Sequence, residues 1–384
     1  MKKYTISGDT IYCAALACAL ISLVTSLTFL NIPILVRRAF LLVGCILLIF
    51  KYIYYISSSS QVIRFNIFLL IYFLVSFISF FKTGLIQMLI TPFFVLGAKD
   101  VSYKKIINTF LLVNIGILLI TFMLFLVGII PESNAVRNGH VRHSFGFSWP
   151  TDLTSMLFFL LSAELYLCIR NKGNVFIRWI PYSLCGFITY KFCDTRLGSL
   201  FILLLIPFSY FFYKYNIYKK HSILKKILPL FFLICTGMSV IIVNYYIKDP
   251  MSGLSVEMNK LSTNRLFLTR LAVLHFGYTF WGQAASYTNL KYLLNLDGFY
   301  VDSSYYSFLV NYGTAILIII EVSYYIFVKK ILKNRDYALG ALLAAIAIMS
   351  IFESHFYFFQ YNIFILLTLS DLEYKKEIES YEKL

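Results

Sequence analysis

Twelve apolar runs constrain this chain more than any other feature. They lie at roughly 11–30, 39–56, 65–81, 84–97, 106–130, 153–169, 176–193, 197–213, 227–247, 303–328, 337–352 and 356–369. Many approach the ~20 residues an α-helix needs to cross a bilayer. Backbone groups inside hydrocarbon must find partners within their own segment, so such runs read as helices. Only 14% of the residues are charged, against about 25% in a soluble domain. The expected fold is all-α: a polytopic integral membrane protein with about 12 spans, one membrane domain over 1–384, and one large extracytoplasmic loop. The fourth run is short and contains Pro92, so it reads as re-entrant. The first follows Lys2 and Lys3, is longer than a signal-peptide core and lacks a small-residue cleavage site, so it reads as an uncleaved span.

All seven cysteines fall within or at the edge of these runs, with no Cys-x-x-Cys pair. That pattern argues against disulfides and zinc sites. With both termini cytoplasmic, the inner segments hold 22 of the 34 Lys and Arg residues, as the positive-inside bias requires. The net charge of +16 is therefore a topology signal. No soluble basic domain is present to bind nucleic acid.

The basic residues are sorted by type as well as by side. The inner segments carry 4 Arg and 18 Lys, the outer segments 7 Arg and 5 Lys. Lysine suffices to orient a helix, whereas arginine offers a rigid fork of donors that matches phosphate oxygens. The excess is either chance in a small sample or an outward-facing site for a diphosphate-like group.

Four outer constellations carry chemistry. The loop 131–152 contains Arg137, His140, Arg142 and His143, then Gly146 and Pro150 at the start of a helix whose N–H groups suit an anion. It reads equally as an interfacial loop with aromatic anchors. Asp194-Thr-Arg196-Leu-Gly198 forms a tight hairpin in which Asp194 pairs with Arg196 or supports it. The 55-residue loop 248–302 holds Asn264 as a helix cap, then Arg265 and Arg270 on a helix expected to reach Phe280, with Trp281-Gly282-Gln283 as its stop. Arg265 and Arg270 lie about 140° apart on that helix, so they do not face one ligand squarely. Asp302, Tyr305 and Tyr312 share a face where the chain re-enters the membrane. Asp302 suits a base or a grip on sugar hydroxyls there, and equally a helix cap above a tyrosine belt. Glu164 and Glu321 lie within runs and are expected to snorkel or to pair with inner lysines. No Walker loop, Asp-x-Asp, His-Glu-x-x-His or Gly-x-Ser-x-Gly motif occurs.

In this order the segments resemble the Wzy-type polysaccharide polymerases of the O-antigen polymerase and ligase superfamily. Arg142-His-Ser-Phe-Gly146-Phe-Ser-Trp-Pro150-Thr is similar to that family's Arg, Gly-Phe and Pro-Asn stretch. Thr195-Arg196-Leu-Gly-Ser resembles its Ser-Arg-Thr-like hairpin. Asn264-Arg265 with Phe280-Trp-Gly282-Gln283 resembles its Gly-Arg and Phe-Gly-x-Gly segment. Asp302-Ser-Ser-Tyr305 with Gly313 resembles its Asp-Asn-x-Tyr stretch. Thr151, Asn264 and Ser303 replace the more usual Asn, Gly and Asn, and Asp302 stands where the ligase branch carries His.

The resemblance implies a glycosyltransferase-type polymerase. It would join undecaprenyl-diphosphate-linked oligosaccharide units into capsule, O-antigen or another exopolysaccharide at the outer face of the bacterial cytoplasmic membrane. It implies no cofactor or metal, since the energy lies in the sugar–diphosphate bond. Membrane lipids, a chain-length regulator and a separate flippase would be its partners. Arg265, Arg196 and Asp302 take the catalytic roles, the arginines on the leaving diphosphate and Asp302 on the acceptor. Arg142, His143, Arg270 and Tyr305 take substrate-binding roles. The long loop then reads as a partial lid. The alternatives are a flippase for the same lipid-linked units, which would place its key charges within the spans, and a membrane acyltransferase, which would need a positioned histidine.

Overall fold

The computed structural model describes residues 7–58, 67–133, 135–137, 139–214, 222–287 and 299–374. The basic connections at 57–64 and 214–226, the tail beyond Asp371 and residues 288–298 of the long loop lie wholly or largely outside the described residues. The chain is mostly helical, and among the described residues the only sheet is a two-stranded hairpin. It divides into two compact units. The first comprises 1–64, 94–211 and 359–384, the second 65–93 and 212–358.

Among the described residues, four helices are long and apolar enough to cross a membrane: Gly8–Thr25, Tyr103–Leu126, Pro150–Arg170 and Lys225–Lys248. Several other apolar runs take different forms. Ile86–Gly97 has 12 residues and contains Pro92, which at 1.5 Å per residue gives about 18 Å, short of a ~30 Å hydrocarbon core. The run 303–328 is broken into Ser304–Ser307, a π-helical turn Phe308–Tyr312 and a second helix Thr314–Lys333. Gly313, at φ +107, makes the break. The run 356–369 holds turns and a 3-10 helix, Ile363–Thr368, whose apolar side chains are almost all buried in protein. An apolar run does not by itself distinguish burial in protein from burial in lipid.

In the first unit, Ser7 caps Gly8–Thr25 by accepting from the Thr10 N–H at 3.3 Å. This helix packs on Ile34–Ser58 through small residues. A Cβ on Gly44 would lie 2.8 Å from the Ala15 carbonyl, so glycine sets the approach. The helix Tyr103–Leu126 turns Phe110, Asn114 and Thr121 inward, while Leu112, Leu119, Ile120 and Met123 are 50–76% exposed. A buried face that includes two polar residues beside an outer face of large exposed apolar ones suits a hydrocarbon surround. Among the described residues, Glu164 does not reach a lysine. It accepts from Arg178 at 3.1 Å and from the Tyr182 hydroxyl.

In the second unit, the helix Arg265–Phe276 lies in the long loop yet has its own core. Val243, Ala272, Phe299, Val301, Tyr306 and Val310 form it. The segment 280–283 locks onto the π-helical turn. The Thr279 and Gln283 N–H groups donate to the Leu309 and Asn311 carbonyls, and Gln283 Nε2 donates to Val310 O at 2.8 Å. Gly282 and Gly313 meet back to back, where a Cβ on Gly313 would lie 2.7 Å from Gly282 N and Phe280 O. Two segments that sequence reading kept apart are thus one interlocked element. Among the described residues Glu321 also finds no lysine, accepting instead from Thr236 Oγ1 at 2.5 Å.

Candidate functional site

The corner that places Arg265 is built locally. Thr263 and Asn264 both have positive φ, which turns the chain sharply from the helix Gly253–Leu261 into Arg265–Phe276. Asn264 does not cap this helix with its side chain. Asn259 does so instead: its Oδ1 accepts from the Phe267 N–H at 3.0 Å while its Nδ2 donates to Asn264 Oδ1 at 3.0 Å. The helix ends at Phe276, four residues before Phe280. The stop is Gly277 at φ +68, and Gly282 is used elsewhere.

Arg265 meets two acids. Its Nε lies 2.8 Å from Asp302 Oδ2, and its Nη1 donates to Glu353 Oε1 at 3.0 Å and to the Phe352 carbonyl. His355 Nδ1 stands 3.6 Å from Glu353 Oε2. All four side chains are at most 14% exposed. Asp302 is therefore an ion-pair partner; the helix cap is Ser303, whose hydroxyl accepts from the Tyr306 N–H. Ser304 fixes the turn that carries the second acid. Its N–H donates to Ser350 O and Glu353 O, and its hydroxyl donates to Glu353 O and accepts from the Phe356 N–H.

The electrostatics follow from enclosure. Burial alone would raise the Glu353 carboxyl, but Arg265 and His355 outweigh it and hold Glu353 below the usual carboxylate range. Burial alone would lower the Arg265 guanidinium, but the Asp302 and Glu353 carboxylates outweigh it and push it up. Arg265 is thus a fixed cation between two fixed anions. Arg265 and its two acids together carry one net negative charge. Such pairing fixes the carboxylates in place, so any proton transfer here rests on their position and not on raised basicity.

The other residues of this unit stand differently. Tyr305 is 1% exposed and donates its hydroxyl to the Ala347 carbonyl at 2.9 Å, so it braces the fold beneath Asp302. Arg270 shares the Arg265 helix, and its buried Nε has no hydrogen-bond partner among the described residues.

The first unit carries a separate basic group. Gly146 sits at φ +86 where a Cβ would strike Thr121 and Ile130 at 2.8 Å, which explains the glycine in the loop 131–152. Pro150 opens the next helix as expected. Residues read as loop form a hairpin, Val136–Arg137 against His140–Val141. Arg142 is 7% exposed and donates Nε to the Cys193 carbonyl at 3.0 Å, a bracing position. The His143 N–H donates to Phe192 O, and its Nδ1 lies 2.9 Å from Glu132 Oε1. Asp194 lies 3.3 Å from Arg196 Nε and 3.6 Å from Arg137 Nη1. The Arg196 side chain is 62% exposed, so its guanidinium is open to an anion.

Glu353 and Glu132 complete these groups; the sequence shows Glu353 beside His355 at an outer turn with no further support, and gives no sign of Glu132. The one signal for Glu353 was an acid beside His355 in a turn between two apolar runs. Nothing in the spacing places that turn against residue 304. Among the described residues, no group of three or more His, Cys, Asp or Glu side chains is placed to hold a metal ion. The chain matches no family model, no curated protein and no solved structure.

Proposed function

We propose that this chain is a multi-pass protein of the bacterial cytoplasmic membrane that polymerises lipid-diphosphate-linked oligosaccharide units at the outer face. The reading keeps about twelve membrane crossings and the large outer loop as part of the proposal. The observation that carries it is the enclosed Arg265–Asp302–Glu353–His355 group, assembled from the long loop, its return into the helices and the turn at 350–356. In this reading Asp302 takes the proton of the acceptor hydroxyl as the glycosidic bond forms and the bond to the lipid diphosphate breaks. Arg265 orients Asp302. Arg196, an exposed arginine of the first unit, is the candidate for binding diphosphate, and is tested separately. Chain elongation needs no nucleotide, because the donor already carries its leaving group.

A strain lacking the chain tests this. It should accumulate single lipid-linked units on the outer face, with polymer lost. Accumulation on the inner face would assign a flippase and refute the polymerase.

A second reading, a membrane acyltransferase acting on glycans, is favoured by two histidines that each stand beside a carboxylate: His143 with Glu132 and His355 with Glu353. Acyl transfer needs a histidine so oriented. Normal polymer length with missing acyl groups in the deletion strain would select it.

A further inference from the structure

A cavity of about 390 Å³ opens at one polar end of the second unit, lined by Lys225, Lys329, Lys333 and Arg335 with Pro229 and Leu332. That volume falls within the range of small-ligand pockets. Its construction follows from the sequence. Pro229 starts the 3-10 turn Leu228–Leu230, and Gly340 lets the helix Tyr337–Met349 come close to Leu228, where an added Cβ would lie 3.2 Å from Leu228 Cδ2. Arg335, at φ +60, ends the helix Thr314–Lys333 and turns the chain back. Lys329 also lies 4.4 Å over the Tyr325 ring.

A basic cluster at a helix end is by itself a topology signal. Two features separate this one from that reading. The first is pairing. In the first unit Lys104 and Lys105 are paired with Glu373 and Asp9 at 3.6 and 2.9 Å. Among the described residues, none of the four cations of the cavity has a carboxylate partner. Asp336, the nearest acid in sequence, is 7% exposed and caps the next helix through the Leu339 N–H. Four like charges gathered without a counter-charge repel one another, and an anion relieves that repulsion. The second feature is the apolar wall of Pro229 and Leu332 beside the cations. A phosphate alone has no use for it, whereas a lipid phosphate continues into glycerol and acyl chain.

We infer that this cavity binds the phosphate headgroup of an anionic phospholipid, with its glycerol end against Pro229 and Leu332. The site is independent of the glycosyl-transfer reading and needs only that these helices stand in a bilayer.

Photo-crosslinking of the full-length wild-type chain tests it, in phosphatidylcholine bilayers doped with photoactivatable phosphatidylglycerol and with labelled residues mapped by mass spectrometry. Labelling concentrated on 225–230 and 329–337, severalfold above that on 99–105, supports the site; equal labelling of both overturns it. In the K329Q/K333Q/R335Q variant, labelling of that segment should fall by about a hundredfold, from the loss of three cations near the membrane surface. Undiminished labelling overturns the site. Millimolar inorganic phosphate separates the two sources of the anion. Labelling that survives it supports the lipid, and labelling abolished by it assigns the cavity to free phosphate and overturns the lipid. No arm reads polymer formation, so failure here leaves the glycosyl-transfer reading untouched.

Discussion

Arg265 and Arg196 each face an aspartate, yet the two pairs are different objects. Arg265 and Asp302 are 13% and 14% exposed and lie 2.8 Å apart, with Glu353 as a second anion. Arg196 is 62% exposed and lies 3.3 Å from Asp194, which it shares with Arg137. Enclosure turns the same residue types into a fixed arrangement in one unit, while solvent leaves them open to re-pair in the other. A guanidinium held by two buried carboxylates positions them. A guanidinium held loosely at the surface is available to an incoming phosphate.

The sharpest way to break the comparison is to remove each arginine. Arg265→Ala strands two carboxylates and should cost about 3–5 kcal/mol, seen as loss of folded protein and a lowered unfolding temperature in detergent. Equal stability of Arg265→Ala and the wild type would show that the enclosed group is not what holds this corner. Gly313→Ala forces an unfavourable φ against Gly282 N and Phe280 O and should cost about 1–3 kcal/mol by the same measurement.

Acid titration reads the enclosed group directly. The folded Glu353 carboxyl lies below its ordinary value, so its contribution is complete above the usual carboxylate range. It is lost as pH falls through the lower, folded value. Unfolding temperature should therefore drop on acidification below about pH 4.3, the unperturbed glutamate value, and Glu353→Gln should flatten that limb. A limb of unchanged depth in the variant would assign it to other acids.

At the open pair the effects on stability shrink. Arg196→Ala should change it by about 1 kcal/mol or less while reducing polymer yield, with partial rescue by Arg196→Lys. Normal yield from the alanine variant removes Arg196 from the anion site. The smallest effect is the coupling between Arg137 and Asp194 in a double-mutant cycle, about 0.2–1 kcal/mol.

The two regions also differ in how far sequence reached. Helicity, the four long apolar helices, Pro150 as a helix start and the Asp194–Arg196 pair follow from local pattern and spacing. Asp302 with Arg265 does not, because it joins residues 37 positions apart, and Glu353 joins them through a turn set by Ser304. The helix stop was misplaced from Gly277 to Gly282 because both are glycines with positive φ, and only packing against Gly313 tells them apart. Asn259 capped the helix in place of Asn264 because Asn264 itself occupies the left-handed corner. The run 356–369 takes turns and a 3-10 helix in place of the expected regular helix, a difference its composition does not show because protein core and lipid select the same side chains.

In the proposed reaction Asp302, held by Arg265, takes the acceptor's proton in a nucleotide-independent glycosyl transfer. Purified full-length chain in proteoliposomes, given a lipid-diphosphate-linked oligosaccharide and no nucleotide, tests it by resolving the product on a gel. Wild type should yield a ladder of repeat units, and Asp302→Asn, with its fold checked by thermal unfolding, should yield only the starting unit. A ladder of normal length from Asp302→Asn, or no ladder from the wild type, would contradict the account.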